Sequence, residues 1–479
     1  MFKKKTAVFL GLSLTCLLSA CTVANSSEDS SSSSSVESTV TSSSETGEEE
    51  FDPSKDVEIT FWHTMGKSTG QTALNSIITE FNKIYPHIKV TNTQQGGYDE
   101  LNEAINNNIS TGNLPTMAYC YEDHVAGYID HNAVLDMTPY INDETYGLGK
   151  NPTGYDLGDK GVDDMISGYW KAGSSYATAG TYSLPWSKST EVLFYNKKVF
   201  DDKGWNVPST WDELWDLCAT IKADPDYAAD DKYCLGWDSD ANLLITSFAQ
   251  KGLPYTTATP EGSNSHFTFN TAENKALVSE LKGYYDKKYF CTKGTTANNS
   301  YTSTLFTAGT VLMTVSSTGG TSRCYTENFT TGVAGIPQYD LNNKKMISQG
   351  PSVTFFKKGS TKAQRTAAWL FYKFATNTLN SANFVADQGY SPVRNSSYSA
   401  APLTDQEEWT ASKALVGTVY NYIGDADNGY TTGQFTSPAF KGSSTGRTEM
   451  DGLLSAVLLG TKTVDKAFDD AMSNCLFAE

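Results

Sequence analysis

A strand followed by a Ser/Gly-rich turn is the part of this sequence best suited to hold a small polar ligand through its backbone. The apolar run Val311–Val315 (VLMTV) predicts a buried strand, and Ser316–Ser322 (SSTGGTS) predicts a turn leading into a helix. The first N–H groups of a helix have no partner within it, so they can bind a ring hydroxyl, a carboxylate or a phosphate. The neighbouring Arg323 would favour an anion.

Aromatic residues are a second chemical signal. They make up 12% of the chain, with 27 Tyr and 9 Trp. A sugar ring has apolar C–H faces and polar edges, so a site that binds one needs flat aromatic side chains together with hydroxyl, amide and carboxylate partners. Most aromatics in any chain serve packing, so this composition permits a sugar site without locating it.

The N-terminus has the three parts of an export signal. Lys3–Lys5 are positive, Val8–Leu18 are mostly apolar, and small residues precede Cys21. The apolar stretch is about half of the ~20 residues that a spanning helix needs. Leu18–Cys21 (LSAC) resembles a lipobox, whose Cys becomes the lipidated first residue of the mature chain. We expect cleavage before Cys21 and a lipid anchor there, at the outer face of the cell membrane. An ordinary signal peptide with an incidental Cys is the alternative.

Residues 22–50 are dominated by Ser, Thr and acids and contain no aromatic residue, Lys or Arg. Such a segment cannot bury enough apolar surface to fold, so we expect a disordered tether with a reach of roughly 30 Å. The remainder, 51–479, is net negative, because removing three Lys takes the charge from −18 to −21 and the tether holds seven acids, leaving −14. This charge argues against nucleic-acid partners, and the length predicts two lobes rather than one core.

Six cysteines follow Cys21 in the mature chain: Cys120, Cys218, Cys234, Cys291, Cys324 and Cys475. They show no CxxC spacing and no nearby His pair, so we expect no metal site, and the sequence points to no cofactor. An even count in an exported chain permits disulfides, with Cys218 and Cys234 as the closest pair. Buried free thiols are the equal alternative.

Apolar periodicity predicts an alternation of strands and helices. The first part of the body reads as strands at 57–62, 88–91 and 115–119 with helices at 69–84 and 98–109. This order is typical of an α/β unit with a mainly parallel sheet. Further strands are predicted at 191–196, 311–315 and 353–356, with helices from 208 onward and at 363–376. Ser209 or Thr210 would cap the first of these helices.

The order and spacing of these elements resemble the family 1 extracellular solute-binding proteins of ABC importers, and among them the sugar and glycerol-phosphate binding group. The resemblance extends over almost all of 56–479. The segments that carry it are Phe61–Met65 (FWHTM), Phe81–Asn82, Gly97–Glu100 (GYDE), Thr111–Pro115 (TGNLP), Leu184–Trp186 (LPW), Thr190–Lys197 (TEVLFYNK), Pro208–Trp211 (PSTW), Ser316–Ser317, Gly389–Arg394 (GYSPVR) and Leu459–Thr463 (LGTKT).

The resemblance implies a type II periplasmic-binding-protein fold, in which two discontinuous α/β lobes close on a ligand through hinge strands. We expect 56–190 and 312–356 in lobe 1, and 191–311 and 357–479 in lobe 2. The expected hinge crossings lie near Thr190–Glu191, near Phe306–Leu312 and near Phe356. Ligands of such folds bind beyond the carboxyl ends of the strands.

The same resemblance implies a set of ligand-binding residues: Trp62, His63, Tyr98, Glu122, Lys188, Ser189, Trp237, Ser316, Ser317, Gly350 and Tyr390. Three of them have bland alternatives. His63 could be a satisfied loop histidine, Glu122 a solvated acid, and Trp237 a core residue. Gly350 matches a glycine that lets the ligand approach the backbone, and Tyr390 follows the glycine of the GYSP segment.

One departure from the group bears on the ligand. Glycerol-phosphate binders hold the phosphate with an Arg in the C-terminal part, where this chain has Ala439, with Lys441 nearby and Arg447 further on. We therefore expect a neutral sugar or oligosaccharide, with glycerol-3-phosphate or a glycerophosphodiester as the alternative. The other expected partners are the transmembrane subunits of an ABC permease and, through Cys21, the membrane. The protein itself is expected to be a monomer.

A secreted carbohydrate-active enzyme is the competing class. Glycoside hydrolysis needs two carboxylates ~5–10 Å apart across the scissile bond. Glu122 has no obvious acidic partner in the loops expected around the cleft, and the sequence contains no HExxH, P-loop or GxGxxG motif in a strand–helix setting. The whole-chain resemblance favours a binding protein without catalytic activity.

Overall fold

The computed structural model describes residues 50–66, 69–154, 158–229, 231–261, 265–386, 388–407 and 409–479. The predicted signal peptide, the lipidated Cys21 and nearly all of the tether lie outside these residues. Within them the chain alternates between strands and helices along most of its length.

The strands are β1 (Val57–His63), β2 (Ile88–Gln94), β3 (Met117–Cys120), β4 (Leu184–Pro185), β5 (Ser189–Asn196), β6 (Tyr233–Trp237), β7 (Thr256–Glu261), β8 (Ser265–Phe267), β9 (Phe290–Thr292), β10 (Val311–Ser317), β11 (Thr331–Ala334), β12 (Met346–Gln349), β13 (Ser352–Phe355) and β14 (Gln434–Phe435).

The α-helices are α1 (Thr69–Ile84), α2 (Tyr98–Ile109), α3 (Glu122–Asp130), α4 (Thr138–Ile141), α5 (Ser167–Ala172), α6 (Lys197–Lys203), α7 (Trp211–Ala223), α8 (Asp240–Lys251), α9 (Ala272–Asp286), α10 (Thr302–Thr307), α11 (Lys362–Ala375), α12 (Thr378–Val385), α13 (Ala401–Thr404), α14 (Ala411–Gly424), α15 (Tyr430–Gly433), α16 (Ser443–Leu458) and α17 (Val464–Ala478).

Helix starts follow the capping signals in the sequence. The Thr210 hydroxyl accepts the Glu213 N–H at 3.2 Å while the Glu213 carboxylate accepts the Thr210 N–H, a capping box that starts α7. Thr361 and Gln364 form the same reciprocal pair at α11, which begins one residue before the predicted helix. Caps of this kind stabilise a helix by about 1 kcal/mol each.

The first sheet has the strand order β2-β1-β3-β13-β4. Strand β1 is parallel to both β2 and β3, whereas β13 is antiparallel to its neighbours. Alternate residues of β1, Ile59 and Phe61 among them, are fully buried. The Phe61 ring lies 5.3 Å from the Trp186 ring and 6.4 Å from that of Phe371. It therefore packs between β1, the segment that follows β4, and helix α11.

The second sheet has the order β14-β12-β5-β10-β6-β9, with β11 also paired to β5. Strands β10, β6 and β9 are parallel to one another, but β5 is antiparallel to its partners β10, β11 and β12. Both sheets are therefore mixed rather than mainly parallel. The antiparallel strands are those that carry the chain between the two sheets, where it must return in the opposite direction.

Two connectors run side by side between the sheets. Residues 186–188 lead from β4 to β5, and residues 350–351 lead back from β12 to β13. The N–H groups of Trp186 and Ser187 both point to the Pro351 carbonyl, at 3.2 and 3.4 Å. The pairings Ser189↔Gln349 and Pro185↔Ser352 continue this contact into the two sheets. The two sheets are thus joined by an antiparallel ribbon, and Ser391 pairs with Lys188 beside it, where the chain passes from α12 in lobe 1 to α14 in lobe 2.

The lobe boundaries differ from the predicted ones in strand membership and in the positions of the crossings. Strands β10, β11 and β12 lie in the second sheet, so only the end of 312–356 belongs to lobe 1. The crossing predicted near Phe306–Leu312 is wrong, because α10 and β10 both contact second-lobe elements. The other two crossings lie earlier than predicted, at 186–188 and at 350–351. Strand membership depends on partners distant in sequence, which local periodicity does not reveal.

The C-terminal helices also divide between the lobes. Helix α11 packs on β1 and α12 on α1, both in lobe 1, although the prediction assigned all of 357–479 to lobe 2. Helices α14, α16 and α17 contact second-lobe elements, as that prediction expected for them. An amphipathic helix shows which of its faces is apolar but not which sheet will cover that face.

All six cysteines of the described chain are buried free thiols. Cys218 and Cys234 are neighbours, since the Cys234 thiol donates a hydrogen bond to the Cys218 carbonyl oxygen at 3.6 Å. Burial raises the pKa of Cys218, and the adjacent Cys234 thiol adds to this effect. The thiol alternative is therefore the one present in this structure.

Candidate functional site

A cavity of about 230 Å³ lies between the two lobes. The first lobe lines it with Tyr121–Asp123 at the start of α3, and the connector region lines it with Ile347–Gly350. The second lobe contributes Ile245, Tyr255, Thr256, Thr436, Ser437, Pro438, Ala439, Ser443, Ser444 and Arg447. This cavity, with its tyrosines and many hydroxyl groups, is the cleft that the rest of the site is built around.

Local structure explains why Tyr121–Asp123 reach the cleft. Strand β3 lies in the middle of the first sheet and ends at Cys120, so the chain leaves the sheet at its carboxyl edge and turns directly into α3. Side chains at this edge of an open α/β sheet face the crevice where ligands bind. The three residues after β3 are therefore exposed to the cleft by topology rather than by their own chemistry.

Three tyrosines form a cluster on the first-lobe side. The rings of Tyr98 and Tyr121 are stacked, with centroids 4.2 Å apart and planes at 25°. Tyr390 is near enough to raise the pKa of both phenols, and its ring packs on the turn at Gly319, where a Cβ would be 3.2 Å from Tyr390 Cε1. Burial raises the pKa of Tyr98, Tyr121 and Tyr390, so all three are neutral phenols at pH 7. They can donate and accept hydrogen bonds and offer flat apolar faces.

Glu122 and Lys188 form an ion pair beneath this cluster. Glu122 Oε1 accepts hydrogen bonds from Lys188 Nζ at 2.8 Å and from the Ser352 hydroxyl at 2.7 Å. Lys188 is fully buried and also donates to the Gly350 carbonyl at 3.1 Å. Burial opposes the charge of Glu122, but the Lys188 ammonium and the Ser352 hydroxyl outweigh it and lower the Glu122 pKa. The pair holds lobe 1 to both strands of the connector ribbon.

Gly350 has a conformation that its neighbours require. Its φ is +98°, in the region that favours glycine. A Cβ at this position would lie 2.7 Å from the Ser187 carbonyl oxygen and 2.9 Å from Lys188 Cα. The absence of a side chain therefore lets the two connectors touch and leaves the backbone exposed to the cleft.

The first turns of α16 form one part of the second-lobe wall. Gly442, with φ +87°, precedes the helix, and Ser443, Ser444 and Arg447 line the cleft. No acidic residue occupies the first turn, so the partial positive charge of the helix end is not offset there. Arg447 donates to the Asn242 side-chain oxygen. Across the cleft, burial raises the pKa of Asp123.

The predicted site residues divide into groups. Glu122 and Gly350 line the cavity, Tyr98 stacks on a lining tyrosine, and Tyr390 completes the same cluster. Lys188 and Ser189 are buried in the connector and the start of β5. Sequence reasoning selected these residues from the order of the strands and helices around them, and the structure has the same order of strands and helices at these positions.

Other predicted residues are not brought to the cleft. His63 is fully buried; its Nδ1 accepts the Met65 N–H and its Nε2 contacts Asn92 Oδ1 at 3.1 Å. Trp237 is also fully buried, with its ring stacked on Trp211 at 5.6 Å. Trp237 is therefore a core residue, and His63 is a histidine whose hydrogen bonds are satisfied inside lobe 1, at the end of β1.

The remaining predicted residues are Trp62, Ser316 and Ser317. Trp62 and Ser317 are half-buried at the ends of β1 and β10, and Ser316 is buried. Ser317 precedes a 3₁₀ helix, Thr318–Cys324, in place of the α-helix start that the turn suggested. The Thr318 hydroxyl already accepts the Thr190 N–H at 3.2 Å.

Sequence reasoning missed most of the second-lobe wall. Tyr255 and Thr256 come from a hairpin region, and the segment 436–439 follows a two-residue strand, so neither stands out by periodicity. Gly442 followed by two serines is a helix-start signal that could have placed Ser443 and Ser444 at a helix end. Nothing local could have placed them opposite Tyr121.

Within the part of the chain that the structure describes, no group of three His, Cys, Asp or Glu side chains could hold a metal ion. The same residues contain no helix with both the length and the apolar character that crossing a bilayer requires.

Comparison with known proteins gives three kinds of similarity. A family model described as bacterial extracellular solute-binding protein matches residues 76–415. The sn-glycerol-3-phosphate-binding periplasmic protein UgpB of Shigella dysenteriae serotype 1 is 27% identical over 353 residues, which cover 71% of this chain and 75% of that protein.

Solved structures extend the similarity to the fold. The cyclic alpha-maltosyl-1,6-maltose binding protein from Arthrobacter globiformis aligns with a TM-score of 0.67 and 18% identity, covering 88% of this chain and 98% of that one. UgpB from Mycobacterium tuberculosis, in complex with glycerophosphocholine, aligns with a TM-score of 0.64, 18% identity and the same coverage. These similarities, with the two sheets described above, confirm the predicted two-lobed type II periplasmic-binding-protein fold.

Proposed function

Because the chain belongs to the family of bacterial extracellular solute-binding proteins, we propose that it captures a sugar or oligosaccharide between its lobes and delivers it to an ABC importer. The family predicted from the sequence is confirmed, and family membership is consistent with a protein that binds rather than catalyses. The observation that carries the sugar is the composition of the cleft: Tyr121 and Tyr255 line it together with hydroxyl and amide side chains from both lobes.

The cleft chemistry suits a neutral ring. Tyr121 and Tyr255 line the cavity and offer aromatic surface to C–H faces, and Thr256, Ser348 and Gln349 offer donors and acceptors to ring hydroxyls. Its volume of about 230 Å³ is below the roughly 300–1,000 Å³ that ligand sites commonly span. We infer a ligand of one or a few sugar units in this arrangement of the lobes.

Delivery requires that the ligand favour a closed arrangement of the lobes. The ribbon of 186–188 and 350–351, together with the adjoining segment at Ser391, can act as a hinge, and a ligand that contacts both Tyr121 and the α16 wall would stabilise closure. The closed form would then dock on the permease as a monomer. Small-angle scattering tests this step: we expect the radius of gyration to fall on adding ligand, and an unchanged radius at saturation contradicts closure.

Attachment at Cys21 would keep this trap near its permease. We propose that the mature chain begins at Cys21 with a lipid anchor, and that residues 22–50 act as a tether. Mass spectrometry of the membrane fraction would detect the lipidated N-terminal peptide. Release of the protein on Cys21→Ser is the expected result, and unchanged membrane retention would point to another mode of attachment.

Enzyme activity is the weaker alternative. Glu122 and Asp123 are adjacent on the same cleft wall rather than on opposite sides of a bond, and Glu122 is paired with Lys188. A GxSxG spacing occurs at 66–70 and again at 442–446, where Ser444 lines the cleft. None of the described residues that line the cavity is a His, so this serine lacks the general base that hydrolysis needs.

An anionic ligand such as glycerol-3-phosphate is a second candidate. The observation that favours it is Arg447 beside the uncompensated end of α16, both at the cleft. The UgpB relative bears a name that assigns it this ligand. Against it stands Ala439, which lines the cavity where a phosphate-binding Arg was expected.

A thermal-shift panel separates the candidates, since a ligand that binds only the folded state raises the melting temperature. The panel contains glucose, maltose, maltotriose, sn-glycerol 3-phosphate and glycerophosphocholine. We expect the largest shift from a saccharide. A shift confined to the phosphate esters would overturn the sugar assignment, and release of free glucose from maltose or maltotriose in the same samples would revive the enzyme.

A further inference from the structure

Glu191 is a buried carboxylate one hydrogen bond behind the cleft wall. It lies on β5, where the chain enters the second lobe, and only 2% of its surface is exposed. Its Oε1 accepts a hydrogen bond from Asn242 Nδ2 at 2.7 Å. Its Oε2 is buried and has no hydrogen-bond partner among the described residues.

Asn242 connects this carboxylate to two side chains that line the cleft. Its Nδ2 also donates to Gln349 Oε1 at 2.9 Å, and its Oδ1 accepts a hydrogen bond from Arg447 Nη2. Gln349 belongs to β12 and Arg447 to α16, so one amide joins three elements of the second lobe. Asn242 is itself 2% exposed and sits in the first turn of α8.

We propose that Glu191 is a positioning residue of the ligand cleft, whose ionised carboxylate fixes the Asn242 amide and, through it, the Gln349 and Arg447 side chains. The proposal deepens the proposed function and rests on it, because it concerns the same cleft.

The direction of the hydrogen bonds explains how this works. An ionised carboxylate can only accept, so it requires the N–H side of the Asn242 amide and leaves the amide oxygen for Arg447. A protonated carboxyl, like the amide of a glutamine, can donate as well as accept, so it no longer requires the N–H side of Asn242 and the amide is free to turn. A turned amide would present its N–H groups to Arg447, which has no acceptor atoms, and the wall of the cleft would loosen.

The charge of Glu191 changes near neutral pH. Burial raises its pKa to about 7; the Asn242 hydrogen bond, Arg447 and the Trp237 indole oppose this, while Asp238 adds to it. The indole lies close enough to favour the charge, although no hydrogen bond of ordinary geometry links Trp237 to Glu191 in the described chain. The remaining titratable neighbour, Tyr430, donates to the Glu191 backbone carbonyl at 2.9 Å. Cleft order should therefore depend on pH.

The experiment compares wild type with Glu191→Gln, which keeps shape and removes charge. Affinity for maltotriose, which has no titratable group, is measured by calorimetry from pH 5.5 to pH 8.5. Wild type should bind more tightly as pH rises, by about fivefold, the effect of one hydrogen bond. The variant should stay at the weaker level throughout. A variant that keeps the wild-type pH profile overturns the proposal.

A ligand-free measurement keeps this test independent of the ligand. Hydrogen–deuterium exchange at pH 8.5 over 443–450, the first turns of α16, should be faster in Glu191→Gln than in wild type. Unchanged exchange overturns the positioning role even if no probe binds. If neither maltotriose nor sn-glycerol 3-phosphate binds wild type, the proposed function fails, while the exchange result still decides the role of Glu191.

Two further variants serve as controls. Asp240→Asn alters a second buried carboxylate, which lies on α8. Burial raises the pKa of Asp240 to about 6, but its oxygens accept hydrogen bonds from the Thr292 hydroxyl and the Gly294 N–H rather than from the cleft wall. It should leave the maltotriose pH profile unchanged. Asn242→Ala should weaken binding about as much as Glu191→Gln, and the double variant should be no worse than either single one. Additive losses in the double variant contradict a pathway through Asn242.

Discussion

Glu122 is a partly buried glutamate that lines the cleft, Glu191 is a fully buried one behind the second-lobe wall, and the two have different surroundings. Glu122 is paired with the Lys188 ammonium and a serine hydroxyl, and its pKa is lowered. Among the described residues Glu191 has one hydrogen-bond donor, the neutral Asn242 amide; its Oε2 has only the nearby Trp237 indole, without a hydrogen bond of ordinary geometry, and its pKa is raised. The same side chain is thus a fixed charge in one lobe and a titrating group in the other.

The difference follows from the contacts that each carboxylate makes. The Glu122 pair joins lobe 1 to the connector ribbon, where a constant charge stabilises a joint at every physiological pH. Glu191 holds an amide in the second-lobe wall, where the direction of hydrogen bonding matters more than net attraction. Burying a charge without a full counter-charge costs stability, which is commonly tolerated where it serves function.

The largest effect should come from breaking the compensated pair. Lys188→Met leaves the Glu122 charge buried without its cation, and we expect a loss of about 3–5 kcal/mol in the free energy of unfolding at pH 7. Urea denaturation followed by circular dichroism measures it. The double variant Lys188→Met/Glu122→Gln should recover part of the loss. A loss below about 1 kcal/mol would mean that the pair resembles a surface ion pair.

That loss should also depend on pH. The folded-state pKa of Glu122 is below its ordinary value of 4.5, so its contribution to stability is present above that pH and disappears as pH falls through the folded-state value. Lys188→Met should therefore cost less at pH 4 than at pH 7, because Glu122 can then be protonated. An equal loss at both pH values contradicts the assignment of the charge.

The uncompensated glutamate should respond in the opposite sense. The Glu191 pKa of about 7 exceeds its ordinary value of 4.5, so the folded state binds more protons and stability falls as pH rises between these values. Glu191→Gln removes this cost, and we expect up to about 3 kcal/mol of added stability at pH 8 and almost none at pH 4. Urea denaturation at both values measures the gain. Lower stability of Glu191→Gln than of wild type at pH 8 would show that the ionised carboxylate makes a net favourable contribution to the free energy of unfolding.

The smallest effect leaves both carboxylates intact and tests the cleft between them. Tyr98→Ala should weaken saccharide binding by about 1 kcal/mol, or roughly fivefold, because it removes one ring of the Tyr98–Tyr121 stack. Tyr284→Ala is the matched control, since Tyr284 stacks on Trp215 at 4.1 Å away from the cleft. Calorimetry with maltotriose measures both. Equal affinities in the two variants would mean that the cleft is misplaced.

The successes and failures of sequence reasoning have distinct physical causes. Glu122 and Gly350 line the cleft because each lies within two residues of a strand end, so chain order alone brings it to the sheet edge. His63 and Trp237 share the same kind of position, yet their side chains turn into the core, toward Asn92 and Trp211 respectively. Which face of a strand is covered depends on helices from elsewhere in the chain.

The second-lobe wall is a second case in which contacts between distant parts of the chain could not be predicted from the sequence. Arg447 lies further along the chain than Ala439, the position of the expected phosphate-binding Arg. The folding of α16 nevertheless brings Arg447 to the cavity that Ala439 also lines. Its distance in sequence from Tyr121 carried no information about this contact. The lobe boundaries failed for the same reason, since β12 and β13 are neighbours in sequence but lie in different sheets.

The sequence by itself determined the elements, the two-lobed class of fold and the family, because periodicity, caps and residue order act locally or over the whole chain at once. Only the tertiary structure decided which tyrosines stack, which thiols remain free and which of two glutamates keeps a counter-charge. Burial and hydrogen-bond partners set these properties, and both depend on side chains that meet from distant parts of the chain.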